Sequence, residues 1–279
     1  MTWNEIQKQS DIILSCGLNK LKTESFSYLG DIKEKGFGNY LISLDGKALY
    51  IGEGSDLLKR LKQQFAPKTS TFYKNFKGLN DGKLVTIDNF QIQCIQSNIG
   101  RKEIEEFGIV NLPTTLNRFQ IGKRSNYCIA DQNGLWNTTQ EIHSDILKQG
   151  ENIVLNSKFT NWFDAKIISN AGLYLVIDKS GALLYIGESS NVGERIITHS
   201  KRSYFSALRR HIGTNVLDFQ LKEMNGKFRY FSEIEEMAIN DYLKKCKLVI
   251  FPVSFGRYEL EEYLIQKYKP VLNRKNNKD

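Results

Sequence analysis

The sequence predicts an α+β protein built from two similar units. Each is expected to be a small three-stranded antiparallel sheet flanked by helices and preceded by an N-terminal helix. Three observations predict this. Short apolar runs stand in pairs around turn signals, as hairpins do. Stretches that open on capping residues and then keep helical spacing follow them. The whole arrangement also occurs twice. Gly38-Asn39-Tyr40 is followed by Leu49-Tyr50-Ile51-Gly52-Glu53 and Arg60, and Gly172-Leu173-Tyr174 by Leu184-Tyr185-Ile186-Gly187-Glu188 and Arg195. In both copies the arginine lies eight positions after the glycine of Tyr-Ile-Gly.

The repeat reaches well beyond this motif. Trp3-Asn4, Gln7, Ile13-Leu14, Gly17 and Phe26 match Trp136-Asn137, Gln140, Ile146-Leu147, Gly150 and Phe159, all 133 positions apart. Gly100-Arg101-Lys102-Glu103-Ile104-Glu105-Glu106-Phe107 matches Gly256-Arg257-Tyr258-Glu259-Leu260-Glu261-Glu262-Tyr263, and Ile109, Leu116 and Asn117 match Ile265, Leu272 and Asn273, all 156 apart. The larger offset places an insertion in the second copy between Arg195 and Glu261. A boundary near residue 134 divides the chain into units 1–134 and 135–279.

Taken in order, residues 3–17 suit a short helix ended by Gly17. Strands at 40–44 and 48–52 flank an Asp45-Gly46 turn, and strands at 174–178 and 182–186 flank Lys179-Ser180-Gly181. Ser55-Asp56 and Ser190-Asn191 can cap helices over 57–65 and 192–199. A third strand is expected at 90–95 and again at 248–251, each followed by a helix that carries Glu105 or Glu261. Ser232-Glu233-Ile234-Glu235 has the capping-box pattern and opens the insertion with a helix running toward Lys247.

The 279 residues carry a formal net charge of +8, a lean toward a polyanionic partner. No apolar run approaches the ~20 residues that cross a bilayer, and the N-terminus lacks the basic start and apolar core of a signal peptide. Neither a membrane span nor a secretory route is expected. Cys16, Cys94, Cys128 and Cys246 are scattered with no Cys-x-x-Cys pair, which argues against zinc. They read as small buried hydrophobes of a protein in a reducing cytoplasm.

The chemistry concentrates in the repeated residues. The tyrosine pairs Tyr40 and Tyr50, and Tyr174 and Tyr185, stand at strand ends where alternation can aim both hydroxyls at one face. Gly52 and Gly187 mark places where a backbone or ligand comes close. Arg60 and Arg195 lie about two turns into a helix, and an arginine fork binds two phosphate oxygens while staying charged at any working pH. Glu105 and Glu261 are hard oxygen donors of the kind that hold Mg²⁺ together with waters and a phosphate oxygen, with Glu106 and Glu262 as rivals on the same helices.

Together these residues resemble the GIY-YIG nuclease superfamily, carried in tandem. Gly172-Leu173-Tyr174 and Tyr185-Ile186-Gly187 look like the two name-giving motifs. Arg195 fits the family arginine, and His199 fits the histidine that many members have four residues on. Glu261, followed by Ile265, Pro270 and Asn273, fits the metal glutamate and its downstream asparagine, a register that favours Glu261 over Glu262. The first copy matches through Tyr40, Tyr50, Arg60, Glu105 and Asn117. It departs at Asn39, where an aliphatic residue is usual, and at Gln64, which stands in place of the histidine.

The resemblance implies a metal-dependent phosphodiesterase. Tyr174 would act as general base with its phenol pKa lowered by nearby positive charge, and His199 would assist. Arg195 and a Mg²⁺ ion on Glu261, with Mn²⁺ as a substitute, would stabilise developing charge, while Tyr185 positions water or phosphate. Tyr40, Tyr50, Arg60 and Glu105 would take the same roles in the first copy. Arg101 and Arg257 are candidates for backbone phosphate contacts, grouped with Asn117 and Asn273 as DNA-binding residues. Two such units and little else suit a restriction-type endonuclease that cuts double-stranded DNA as a monomer, one active site per repeat. The alternatives are a nuclease whose first repeat only binds DNA, and a non-catalytic DNA-binding protein. Target specificity is expected in residues 67–80 and in the inserted helix near 232–246.

Overall fold

A computed structural model of the chain describes all residues except 34, 80–85, 118–123, 125–126, 129–132, 225 and 274–279. The first unit begins with helices α1 (Trp3–Lys8) and α2 (Ser10–Thr23). A hairpin of β1 (Gly38–Leu44) and β2 (Lys47–Gly54) follows, then α3 (Leu57–Gln64), α4 (Thr71–Leu79), β3 (Gln91–Gln96), α5 (Arg101–Asn111) and α6 (Asn133–Glu141). Helix α7 (His143–Leu155) leads into the second unit, which runs on through β4 (Thr160–Asn161), β5 (Gly172–Ile177), β6 (Leu183–Ser189), α8 (Val192–Lys201) and α9 (Ala207–Asn215). It continues through β7 (Lys222–Met224), β8 (Lys227–Tyr230), α10 (Glu233–Lys244), β9 (Lys247–Pro252) and α11 (Arg257–Tyr268). The class is α+β with antiparallel sheets, as the alternation and turn signals predict.

Local chemistry places the elements that hold the site. Asp45 and Gly46 both take positive φ, at 49° and 72°, so the β1–β2 hairpin closes in the tight form whose twist suits its strands. Asp56 and Asn191 cap α3 and α8 by accepting the backbone N–H of Lys59 and Glu194. Each Gly-x-Tyr strand is the central one: the first sheet has the order β2-β1-β3, and β5 lies between β6 and β9 in the second. Central strands are covered on both faces, and β1 is buried over six consecutive residues. In the first unit Phe65, Phe72 and Phe90 meet pairwise at 5.3 to 5.9 Å beneath Tyr40. In the second, Trp162, Leu208, Ile212, Phe231 and Ile239 cluster beneath Tyr174.

Several expectations are corrected. The second sheet has four strands, because Thr160 and Asn161 pair with Leu248 and Lys247; the first unit keeps only an isolated bridge, Ser27 to Ile92, at that place. Gly17 does not stop a helix. It lies inside α2, where a Cβ would meet the Trp136 ring at 2.5 Å and Ile104 at 2.7 Å. The contacts divide the chain into Met1–Ile146 and Leu147–Asp279, not near residue 134. The cause is α6, whose Trp136 seats on α2. Its Gln140 accepts the N–H groups of Asn98 and Ile99 at 2.6 and 3.1 Å, which ties it to the first unit. Residues 67–80 are not all loop, since α4 occupies most of them; Asn80 lies outside the described residues. The insertion opens with the β7–β8 hairpin, and the Ser232-capped α10 follows it. Cys16, Cys94 and Cys246 are buried, but Cys128 is exposed. Among the described residues no helix is long and apolar enough to cross a membrane.

Candidate active site

The hairpin register decides where the tyrosines go. Tyr40 pairs with Gly52 and Tyr174 with Gly187, so the first tyrosine of each copy lies opposite the glycine of Tyr-Ile-Gly. A Cβ on Gly187 would stand 2.3 Å from the Tyr174 hydroxyl, and one on Gly52 would stand 2.3 Å from that of Tyr40. These glycines make room for a tyrosine ring, not for a ligand or a second backbone. The second tyrosine stacks on the first, with centroids 6.2 Å apart for Tyr40 and Tyr50 and 6.0 Å for Tyr174 and Tyr185.

Tyr174 is fully buried, and Tyr185 is only partly so. The Tyr174 hydroxyl lies 2.7 Å from His199 Nε2, and His199 Nδ1 lies 2.7 Å from the Ser206 hydroxyl. The Arg195 guanidinium lies close enough to act on both phenols, pulling their pKa values down against burial. Glu261, one turn into α11, accepts the N–H of Glu188 at 3.1 Å, the residue directly after Tyr-Ile-Gly. The structure thus brings Tyr174, Tyr185, Arg195, His199 and Glu261 together. The first unit does the same with Tyr40, Tyr50, Arg60, Gln64 and Glu105; all of these but the buried Tyr40 border a cavity of about 660 Å³ also walled by Phe72 and Asn75 of α4. The charges of Glu261 and Glu105 act on both phenols of their own unit, which favours them over Glu262 and Glu106.

Burial, and then Tyr185, hold the Tyr174 phenol well above its ordinary pKa; Arg195 pulls the other way without prevailing. This is opposite to the lowered phenol pKa expected of a general base. Burial, with Arg195, Arg209 and Arg210 behind it, drives His199 well below the ordinary histidine value, so its ring is neutral.

The four supposed DNA contacts are structural. Asn117 accepts the Ile51 N–H at 2.9 Å and donates to the Ile51 carbonyl at 2.8 Å, and Asn273 does the same to Ile186 at 2.8 and 2.7 Å. Each clamps the β2 or β6 edge through both ends of its amide. Arg257 is buried and pairs with Glu188 through Nε at 2.8 Å; Arg101 is buried 3.8 Å from Glu53, with Phe37 over its guanidinium. Asn39 replaces an aliphatic residue because it donates to the Arg101 carbonyl at 2.8 Å from inside the core. The sequence reading missed Glu53 and Glu188, although the motif repeats them, and it missed Ser70 and Ser206, which cap α4 and α9.

Among the described residues no cluster of three or more His, Cys, Asp or Glu side chains could hold a metal by itself. The donor set still fits a hard divalent ion. Glu105 is pushed up to about 7, first by burial and then by Glu53, and Lys102 and Arg60 only partly offset this. Glu105 would supply one ligand, and waters and substrate oxygens would complete the shell. The same shift has a consequence for stability. The folded unit keeps a proton that the unfolded chain has lost above its ordinary value of 4.5, so stability falls as pH rises through about 7. Thermal melts of metal-free protein between about pH 5 and 8 should show this decline, and Glu105→Gln should flatten it. A slope unchanged in that variant would remove Glu105 as its source.

Residues 151–279 match the family model described as the GIY-YIG catalytic domain. No curated protein matches the chain. The matched residues contain both tyrosines, the arginine, the histidine and the glutamate of the second unit, and domains of this kind are nucleases that generally use divalent metal ions. Geometry and family match together support placing the second unit in the GIY-YIG nuclease superfamily.

Proposed function

We propose that the protein is a divalent-metal-dependent DNA endonuclease of restriction type, with one hydrolytic site in each unit, so that one chain cuts both strands. The single observation that carries the two-site reading is the way Gln64 stands in for His199. The Gln64 amide donates to the Tyr40 hydroxyl at 2.7 Å, and its carbonyl accepts from Ser70 at 3.5 Å. His199 bridges Tyr174 and Ser206 in the same sense. Read in parallel, the neutral histidine carries its hydrogen on Nε2, donates to Tyr174 and accepts from Ser206; this tautomer is assigned from the network. A glutamine does that work equally well, so the substitution leaves the first site competent.

In this scheme the Arg195 fork grips the non-bridging phosphate oxygens. Tyr185, the less buried phenol, orients the attacking water; burial and then Glu261 raise its pKa too, so it takes up the water's proton only after passing its own to solvent. Tyr174 stays protonated behind it and fixes its position. Tyr50, Arg60 and Tyr40 take these parts in the first unit. A divalent ion held by Glu261 or Glu105, Mg²⁺ or Mn²⁺ in its place, would offset the carboxylate's upward pull on the phenols and stabilise charge on the phosphate oxygens. The net charge of +8 supports a polyanionic substrate.

Two measurements test this. His199→Gln should retain cleavage within about tenfold, whereas a loss of about 10²-fold or more would restore a proton-transfer role to the histidine. Plasmid and phage DNA incubated with Mg²⁺ should be linearised by the wild type but only nicked by Glu105→Ala and by Glu261→Ala. Linear product from Glu105→Ala would leave the first unit as a DNA-binding repeat, and no cleavage of either substrate by the wild type would leave a non-catalytic DNA-binding protein.

A further inference from the structure

We propose that the second unit carries a stacking platform for an unpaired nucleotide, formed by Phe205 and flanked by Arg210 and Arg229, beside the arginine of the proposed cleavage site. The inference rests on the nuclease reading and names the form of nucleic acid that the site takes. Phe205 is 70% exposed, so its ring contributes little to its own core. Its position is nevertheless fixed. Its carbonyl accepts from Arg195 Nη1 at 3.4 Å, and Tyr204 meets its ring edge-on at 4.5 Å and 85°. Tyr204 is backed by Tyr230 of β8 at 5.0 Å, and the Arg229 guanidinium lies 5.8 Å from the Tyr204 centroid. Arg210 donates to the carbonyls of Ser203 and Tyr204, both at 2.8 Å, which holds the turn in place.

Charge points the same way. Burial, then Arg229 and Arg195, lower the Arg210 pKa, with Tyr185 acting the other way. Three guanidinium groups therefore share one field beside an open aromatic face. A phosphate relieves their repulsion, and a base that has left the duplex stack can lie on the ring. Paired bases offer no free face to such a ring, so the occupant is an unpaired nucleotide. The first unit has Pro67, Lys68 and Thr69 ahead of its Ser70 cap, and among its described residues there is no counterpart of the β7–β8 hairpin that supplies Arg229 and Tyr230.

The test is metal-free binding of a fluorescent single-stranded oligonucleotide and of a fully paired duplex of equal length. Phe205→Ala should weaken the single strand about 5- to 100-fold, the range for losing one stacked base, and the duplex by less than about twofold. Phe205→Trp should restore the single-strand affinity. Arg229→Gln should weaken both probes and lower the salt slope by about one. Equal binding of the single strand by Phe205→Ala and wild type, or equal losses on both probes, would overturn the platform. Because no cleavage is read, that failure leaves the nuclease reading standing; wild-type protein that stacks the single strand but never cuts plasmid would sink the nuclease reading instead.

Discussion

Arg195→Ala should lower cleavage by the second unit about 10²- to 10³-fold, the scale of removing one preorganised donor from a developing oxyanion. Arg195 is a cation that acts on both phenols of its unit, lowering the pKa of each. Its place on α8 is set by the Asn191 cap, and its guanidinium is half-buried between the tyrosines and the surface. Removing it takes away the phosphate grip and the charge that opposes burial at Tyr174. Arg195→Lys should recover little, because an ammonium cannot reach two phenols and a phosphate with one fork. With two sites per chain, the measured result should be nicked circles that form at near the normal rate and linear product that almost vanishes. Undiminished linearisation by Arg195→Ala would remove this residue from the site.

Arg257→Ala should cost the second unit about 3 to 5 kcal/mol, as breaking a buried pair leaves Glu188 without its charge partner. The Arg257 side chain is only 2% exposed. Glu188 is its anion, and the N–H of Glu188 in turn holds Glu261, so cleavage should fall along with stability. Replacing both partners, Glu188→Gln with Arg257→Met, should recover much of the stability, because the lone buried charge is gone. Hydrogen exchange over residues 172–268 measures this unit apart from the other. A loss below about 1 kcal/mol would mean that the pair behaves as a hydrated surface bridge.

Much of the site was legible because it is periodic. Tyr, Gly, Arg and Glu recur at constant offsets, and a residue type that must be kept twice at one spacing carries information that a single copy lacks. The hairpins and helix starts were legible too, since Asp45-Gly46, Asp56, Asn191 and Ser232 act through bonds to residues two to four positions away. Arg101, Arg257, Asn117 and Asn273 repeat just as faithfully, yet their roles were misjudged. Repetition reports that a residue is kept, not whether it faces solvent or core. Arg257 looks like a phosphate ligand until Glu188, 69 positions earlier, is found beside it.

Sequence alone determined the class of the fold, the repeat, the insertion and the set of groups that converge, because these follow from local bonding and from spacing. Only the tertiary structure decided which face each side chain meets. It buried Tyr174 and left Tyr185 partly exposed. It made His199 neutral, turned two arginines and two asparagines into internal struts, and seated Trp136 on the first unit. The physical reason is that desolvation and long-range pairing depend on what packs around a group, and those neighbours lie tens of residues away along the chain.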